Sequence, residues 1–177
     1  MQLDKWSAND SLDENEMVST LGLKWLPQSD CFCFKVSLGI KPSIITKRTM
    51  LSEIAGLFDP LGWLAPIIIR CKIMIQELWI RGLDWDTPVD EDIKGAWTSI
   101  RMQLSHISQL RIPRWFLTNK DSFWELHGFS DASQRAYAAV IYLVYKYNSE
   151  VYKVFLISAK SKVAPVKTMA IPRLELC

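Results

Sequence analysis

Hydrophobic and polar positions fall into two regimes along the chain, and the change comes just after Ile112-Pro113-Arg114. In the first regime, residues 21–25 and 31–36 are short apolar runs flanking Pro27-Gln-Ser-Asp30. The second run alternates large apolar residues with smaller ones, which predicts a β-hairpin. Three helical periodicities follow. Thr46 can cap a helix to about residue 58, where Met50/Leu51, Ile54/Ala55 and Leu57/Phe58 recur at helical spacing and Asp59-Pro60-Leu-Gly62 stops it. Pro66 suits the first turn of a second helix to about residue 81, apolar on most faces and therefore expected between neighbours. Asp90 is expected to cap a third helix. Glu91 and Asp92 would sit in its favourable first turn, with Ile93, Ala96/Trp97, Ile100 and Leu104 in one stripe.

In the second regime, residues 123–129, 136–145 and 151–158 are β-branched and aromatic runs. Asp131-Ala-Ser-Gln134 and Lys146-Tyr-Asn-Ser-Glu150 separate them, so three consecutive antiparallel strands are expected. Pro172 then opens a helix of which the chain carries only the first turn. The expected fold class is α+β. A β-hairpin and helical segment occupies residues 1–117, and a truncated α/β unit of three antiparallel strands and the start of a helix occupies residues 118–177. That ending reads as a cut from a longer protein.

Composition narrows the class. With 49% hydrophobic and 23% charged residues among 177, disorder, collagen and coiled coil are excluded, and eight Trp supply ample core. Four Cys with no secretory leader point to reduced thiols in an intracellular protein, with cytoplasm and nucleus not distinguished. The greasiest stretch, residues 61–80, is interrupted by Arg70, Lys72, Gln76 and Glu77, so it cannot span a bilayer. A net charge of +2 hides a segregation: residues 101–177 carry eleven bases against five acids, with Lys160, Lys162, Lys167 and Arg173 close together. Such a cluster suits a phosphate-tracking surface, and equally an ordinary solvated face.

Two carboxylates stand out. Asp131 follows a mostly apolar strand and precedes small residues, and Glu175 lies 44 positions later on the nascent helix. A strand end and a helix packed on the same sheet could deliver both to one divalent cation, since Mg²⁺ prefers hard oxygen ligands. A turn-capping Asp and a solvent-facing Glu fit the same spacing. Other constellations fail. Cys31-Phe-Cys33 has the wrong spacing for zinc, and Cys71, His106 and His127 supply no second half. Ser130-Asp131-Ala132-Ser133 lacks the Gly and the second copy of an aspartic-protease loop. No glycine-rich phosphate loop occurs. Trp63, Trp79, Trp85, Trp97, Trp115 and Trp124 could stack on bases, but their apolar neighbours make core the simpler expectation for most.

Taken together, several segments resemble the Pol polyprotein of Pao/BEL-type LTR retrotransposons over nearly the whole chain. They are Lys5-Trp-Ser-Ala-Asn9, Leu21-Gly-Leu-Lys-Trp25, Thr46-Lys-Arg-Thr-Met-Leu-Ser52, Phe58-Asp-Pro-Leu-Gly62, Gln76-Glu-Leu-Trp79 and Leu83-Asp-Trp-Asp86. Further along come Leu126-His-Gly-Phe-Ser-Asp-Ala-Ser133, Ala159-Lys-Ser-Lys-Val-Ala-Pro165 and Ile171-Pro-Arg-Leu-Glu-Leu176. The resemblance implies a reverse transcriptase thumb and connection segment running into ribonuclease H, with RNA/DNA hybrid as partner and no membrane. By it, Asp131 matches the first catalytic Asp, Glu175 the catalytic Glu, and both would help bind Mg²⁺. Lys160, Lys162, Lys167 and Arg173 fall where nucleic acid is expected. The remaining carboxylates of the family site would lie after residue 177 and the polymerase carboxylates before residue 1. The chain is therefore expected to be catalytically inactive alone, with Mg²⁺ weak or absent, and nothing in it supports peptidase activity. The alternative expectation is a domesticated, non-catalytic nucleic-acid-binding or protein-interaction module.

Overall fold

The computed structural model describes residues 18–20, 23–36, 44–116, 123–147 and 151–177. Lys5-Trp-Ser-Ala-Asn9, Leu21-Gly22, turn positions 148–150 and the junction around residue 118 lie outside the described residues. The expected α+β class is observed, as two antiparallel sheets with helices between them in the chain.

The hairpin is present as β2 (Leu23–Leu26) and β3 (Cys31–Cys33), with Lys24 opposite Cys33 and Leu26 opposite Cys31. Two short strands widen it to a four-stranded sheet: β1 (Val18–Thr20) pairs with β2, and β4 (Ile112–Pro113) pairs with β3. Asp30 ends the turn at φ 47°, a left-handed conformation that Asp tolerates better than most residues. Its carboxylate accepts the Trp25 indole N–H at 3.0 Å and two Arg114 N–H groups at 2.6 and 3.3 Å, from 84 residues away.

Arg114 holds the Asp30 carboxyl below its ordinary range, outweighing the opposite effect of burial. A depressed folded pKa means that the stabilisation is present above the unfolded value of about 3.9 and is lost as pH falls through the folded value. Acid titration followed by Trp fluorescence should show this sheet loosening below about pH 4. Arg114→Met should flatten that acid limb, and an unchanged limb would mean that the pair contributes nothing.

The helices begin where the sequence places them, because their signals are local. α1 (Lys47–Ala55) is capped by Thr46 in a reciprocal pair with Thr49: each backbone N–H donates to the other's hydroxyl, at 3.2 and 2.9 Å. It stops at Gly56, short of the expected residue 58. α2 (Ala65–Ile80) carries Pro66 in its first turn and buries Cys71, Met74 and Leu78. α3 (Glu91–Leu104) buries Ile93, Trp97, Ile100 and Leu104, while Ala96, expected in that stripe, is exposed.

Asp90 occupies the N-cap position of α3, but its side chain does not cap. The carboxylate pairs instead with Arg81 at 2.7 Å, and Arg81 also holds Asp92 at 2.7 Å and Glu77. This cluster ties the end of α2 to the start of α3. A 3₁₀ turn, Ser105–Gln109, leads from α3 to β4.

The second sheet has the order β5-β6-β7, from β5 (Phe123–Ala132), β6 (Ala136–Tyr147) and β7 (Val151–Val163), all antiparallel. The strands overrun their expected ends. Asp131 is therefore inside β5 rather than past it, and Lys160 and Lys162 are inside β7. α4 (Ile171–Glu175) follows, anchored by Leu174, which is 2% exposed.

Residues 59–64 join the helical part to this sheet. The Asp59 carboxylate accepts the N–H groups of Trp63 and Leu64 at 2.9 and 2.8 Å, folding the chain into a tight turn ahead of α2. Burial nevertheless pushes the Asp59 carboxyl up, ahead of the lowering effect of those backbone donors. The turn lies against the outer edge of β7. The Ala159 N–H and the Ser158 hydroxyl donate to the Leu61 carbonyl at 2.8 and 3.0 Å, and the Trp63 indole N–H reaches the carbonyls of Leu156 and Ile157 at 3.3 and 3.2 Å. About three turns into α2, Gln76 donates to the Ala164 carbonyl at 2.6 Å. Thus the Phe58-Asp-Pro-Leu-Gly62 motif, expected only to stop a helix, also covers a sheet edge that would otherwise show unpaired backbone groups.

Candidate nucleic-acid and metal site

A depression of about 210 Å³ brings four of the six expected site residues together: Asp131, Glu175, Lys160 and Lys162 line it. Each arrives by a different local rule. Asp131 is the penultimate residue of β5, an edge strand of the sheet among the described residues, and its carboxylate accepts the Ala132 N–H at 2.8 Å. Lys160 and Lys162 are two apart on β7 and so share a face, opposite Ala139 and Tyr137 of β6. Glu175 follows the buried Leu174, so the packing of that one leucine fixes where the carboxylate sits. By register Asp131 belongs with Ala138 and Ser161, on the face opposite the two lysines, and it borders the depression from the sheet edge.

Among the described residues, none of these four charged groups takes part in an ion pair. Two carboxylates and two ammonium groups around one depression, not neutralising each other, suit a ligand that carries both signs. Lys167 and Arg173 do not line it. They are exposed in the 164–170 loop and on α4. The sequence reading also missed two contributors, Ser130 and Tyr137. Tyr137 could have been found only by knowing the β5–β6 register, which sets it opposite Ala132.

The donor set fits a hard cation in part. Both carboxylates offer oxygen, as Mg²⁺ requires, and Mg²⁺ usually keeps waters and substrate phosphates as its other ligands. No group of three or more His, Cys, Asp or Glu suited to a metal forms among the described residues. Two carboxylates alone would leave the shell of such a cation to be completed by phosphate or further ligands. All four cysteines are free thiols; Cys177 also lines the depression, while burial pushes Cys71 up to about 11.

The expectation that most of the six tryptophans are core is corrected. Trp63 and Trp97 are buried, but Trp79, Trp85, Trp115 and Trp124 are 38–57% exposed. Two of the exposed ones have a structural task. The ammonium of Lys47, itself only 2% exposed, sits 3.9 Å from the Trp79 ring centre and 5.5 Å from that of Trp85, and donates to the Leu83 carbonyl. A cation against two ring faces satisfies a buried lysine that has no carboxylate partner among the described residues.

A comparison with protein families decides the relationship. The family description Pao retrotransposon-like RNaseH-like domain matches residues 46–177. The chain belongs to this family. No curated protein and no solved structure matches at a significant level. In the Pao RNaseH-like domain the match begins at Thr46, the cap of α1, and runs through the clasp at residues 59–64 to the end of the described sheet and α4. The match thus takes in α2, which packs on β7, as well as the sheet carrying Asp131. Among the described residues no helix is long and apolar enough to cross a membrane.

Proposed function

We propose that this chain is part of a retrotransposon Pol protein. On this reading it binds RNA/DNA hybrid, and Asp131 and Glu175 are the part of a ribonuclease H site that it contributes. The observation that carries the reading is the depression in which these two carboxylates meet Lys160 and Lys162. RNase H-like domains in general use divalent metals and engage nucleic acid. Asp131 and Glu175 would hold the cation, and Lys160 and Lys162 would draw the phosphodiester backbone towards it. When bound, Mg²⁺ would supply water activation and charge stabilisation on the phosphate oxygens. With only these two carboxylates the chain should bind the cation weakly and cleave hybrid poorly.

The test is hybrid affinity with and without Mg²⁺, measured by fluorescence anisotropy on the whole chain. Mg²⁺ should tighten binding severalfold, and Asp131→Asn or Glu175→Gln should each cancel that gain while leaving Mg²⁺-free binding unchanged. Indifference of both variants to Mg²⁺, shared by the wild type, would remove the carboxylates from the reading. Robust cleavage in Mg²⁺ or Mn²⁺ that Asp131→Asn abolishes would overturn the expectation of poor activity.

A further inference from the structure

The β5–β7 sheet sorts its acids from the β7 lysines by face, and one bulge is the cause. Lys153 and Lys160 are seven residues apart on β7, and in a regular strand an odd separation sends two side chains to opposite faces. The observed register sets Lys153 opposite Tyr145, Ser158 opposite Ile141, Lys160 opposite Ala139 and Lys162 opposite Tyr137. Those β6 positions alternate regularly, so all three lysines share one face. The pairing shifts between Ile141 and Tyr142, leaving Ile157 as the extra residue of a β-bulge. Glu125 and Asp131, the acids of this sheet, pair with Val144 and Ala138 and so belong to the other face.

We infer that Lys153, Lys160 and Lys162 form a row along which one strand of a nucleic acid lays its phosphates, and that the bulge at Ile157 brings Lys153 into this row. All three lysines are exposed, and none is ion-paired among the described residues. Two strand residues advance about 6.6 Å, so Lys160 and Lys162 are spaced like neighbouring phosphates along one strand, and Lys153 lies about 20 Å from Lys160. Aligned like charges repel one another, and a polyanion relieves that repulsion along its length. The bulge itself is held from outside. The Trp63 indole N–H reaches the Leu156 and Ile157 carbonyls, and the Ala159 N–H bonds Leu61. Trp63 is in this sense a positioning residue for Lys153. The inference rests on the proposal that the domain handles nucleic acid, and it adds the path: along β7, ending at the depression that Asp131 and Glu175 border.

The measurement is the salt dependence of hybrid binding by the whole chain, between about 50 and 200 mM salt. Each of Lys153→Ala, Lys160→Ala and Lys162→Ala should reduce the slope of log affinity against log salt by about 0.9, the loss of one phosphate contact on a duplex. Lys167→Ala should leave the slope unchanged. The deciding variant is Lys153→Ala combined with Val154→Lys, which keeps the net charge but moves the lysine to the other face at a position 61% exposed. It should behave like Lys153→Ala alone. A restored slope in this double variant, or an unchanged slope in Lys153→Ala, overturns the row, as does equal lysine-dependent binding to polyglutamate. The Mg²⁺ response of Asp131→Asn is read separately, so failure of the metal reading is distinguishable from failure of the row.

Discussion

Substituting Gly62 by alanine is expected to cost about 4 kcal/mol or more of unfolding free energy, placing it among the exceptional single changes. Two effects add. Gly62 has φ +76°, which an L side chain adopts at a cost of about 1 kcal/mol. A Cβ there would also lie 1.7 Å from the Ala159 carbonyl oxygen and 2.5 Å from its carbon, both backbone atoms that cannot rotate away. The turn would have to leave β7, giving up the Ala159 and Ser158 hydrogen bonds to Leu61. Gly82 supplies the control. Its φ is +68°, but a Cβ there meets nothing within 4 Å, so Gly82→Ala should cost only the backbone part, about 1 kcal/mol. Denaturant midpoints of both variants check this, and equal losses would show that the contact with β7 contributes nothing.

The contrast between those two glycines shows what was legible in the sequence and what was not. Thr46, Pro66 and Pro172 announced their helices because capping and first-turn preferences act within a few residues. The three long strands showed through their β-branched and aromatic runs. β1 and β4 did not, since strands of three and two residues owe their existence to partners elsewhere in the chain. Asp90 looked like a capping side chain, but Arg81 competes for its carboxylate, and no local rule includes Arg81.

For the site, Asp131, Glu175, Lys160 and Lys162 were readable as candidates, although only Leu174 packing and the β5–β7 register bring them to one depression. Lys153 was invisible as a candidate. Counting by twos along β7 places it on the wrong face, and the bulge that corrects the count is hydrogen-bonded by a tryptophan nearly a hundred residues earlier.

That tryptophan carries the second large effect. Trp63→Ala should cost about 3–5 kcal/mol, the usual range for emptying an aromatic core site. Trp63 is 8% exposed and touches both sheets at once. Its ring meets Phe32 of β3 at 5.5 Å and Phe34 edge-on at 6.3 Å, while its N–H reaches the β7 bulge. Trp63→Phe keeps most of the ring packing and removes the donor, so it should cost about 1 kcal/mol. It should also lower the Lys153 contribution to the salt slope of hybrid binding, which a purely structural role would leave alone. Combining Trp63→Ala with Gly62→Ala separates the two parts of the clasp. Once Gly62→Ala has lifted the turn from β7, the indole bond to the bulge is already lost, and only the packing on Phe32 and Phe34 remains to be removed. The double variant should therefore lose less than the two single losses together, with a coupling of about 1–3 kcal/mol. Strict additivity of circular-dichroism midpoints would mean that the turn and the indole grip β7 independently.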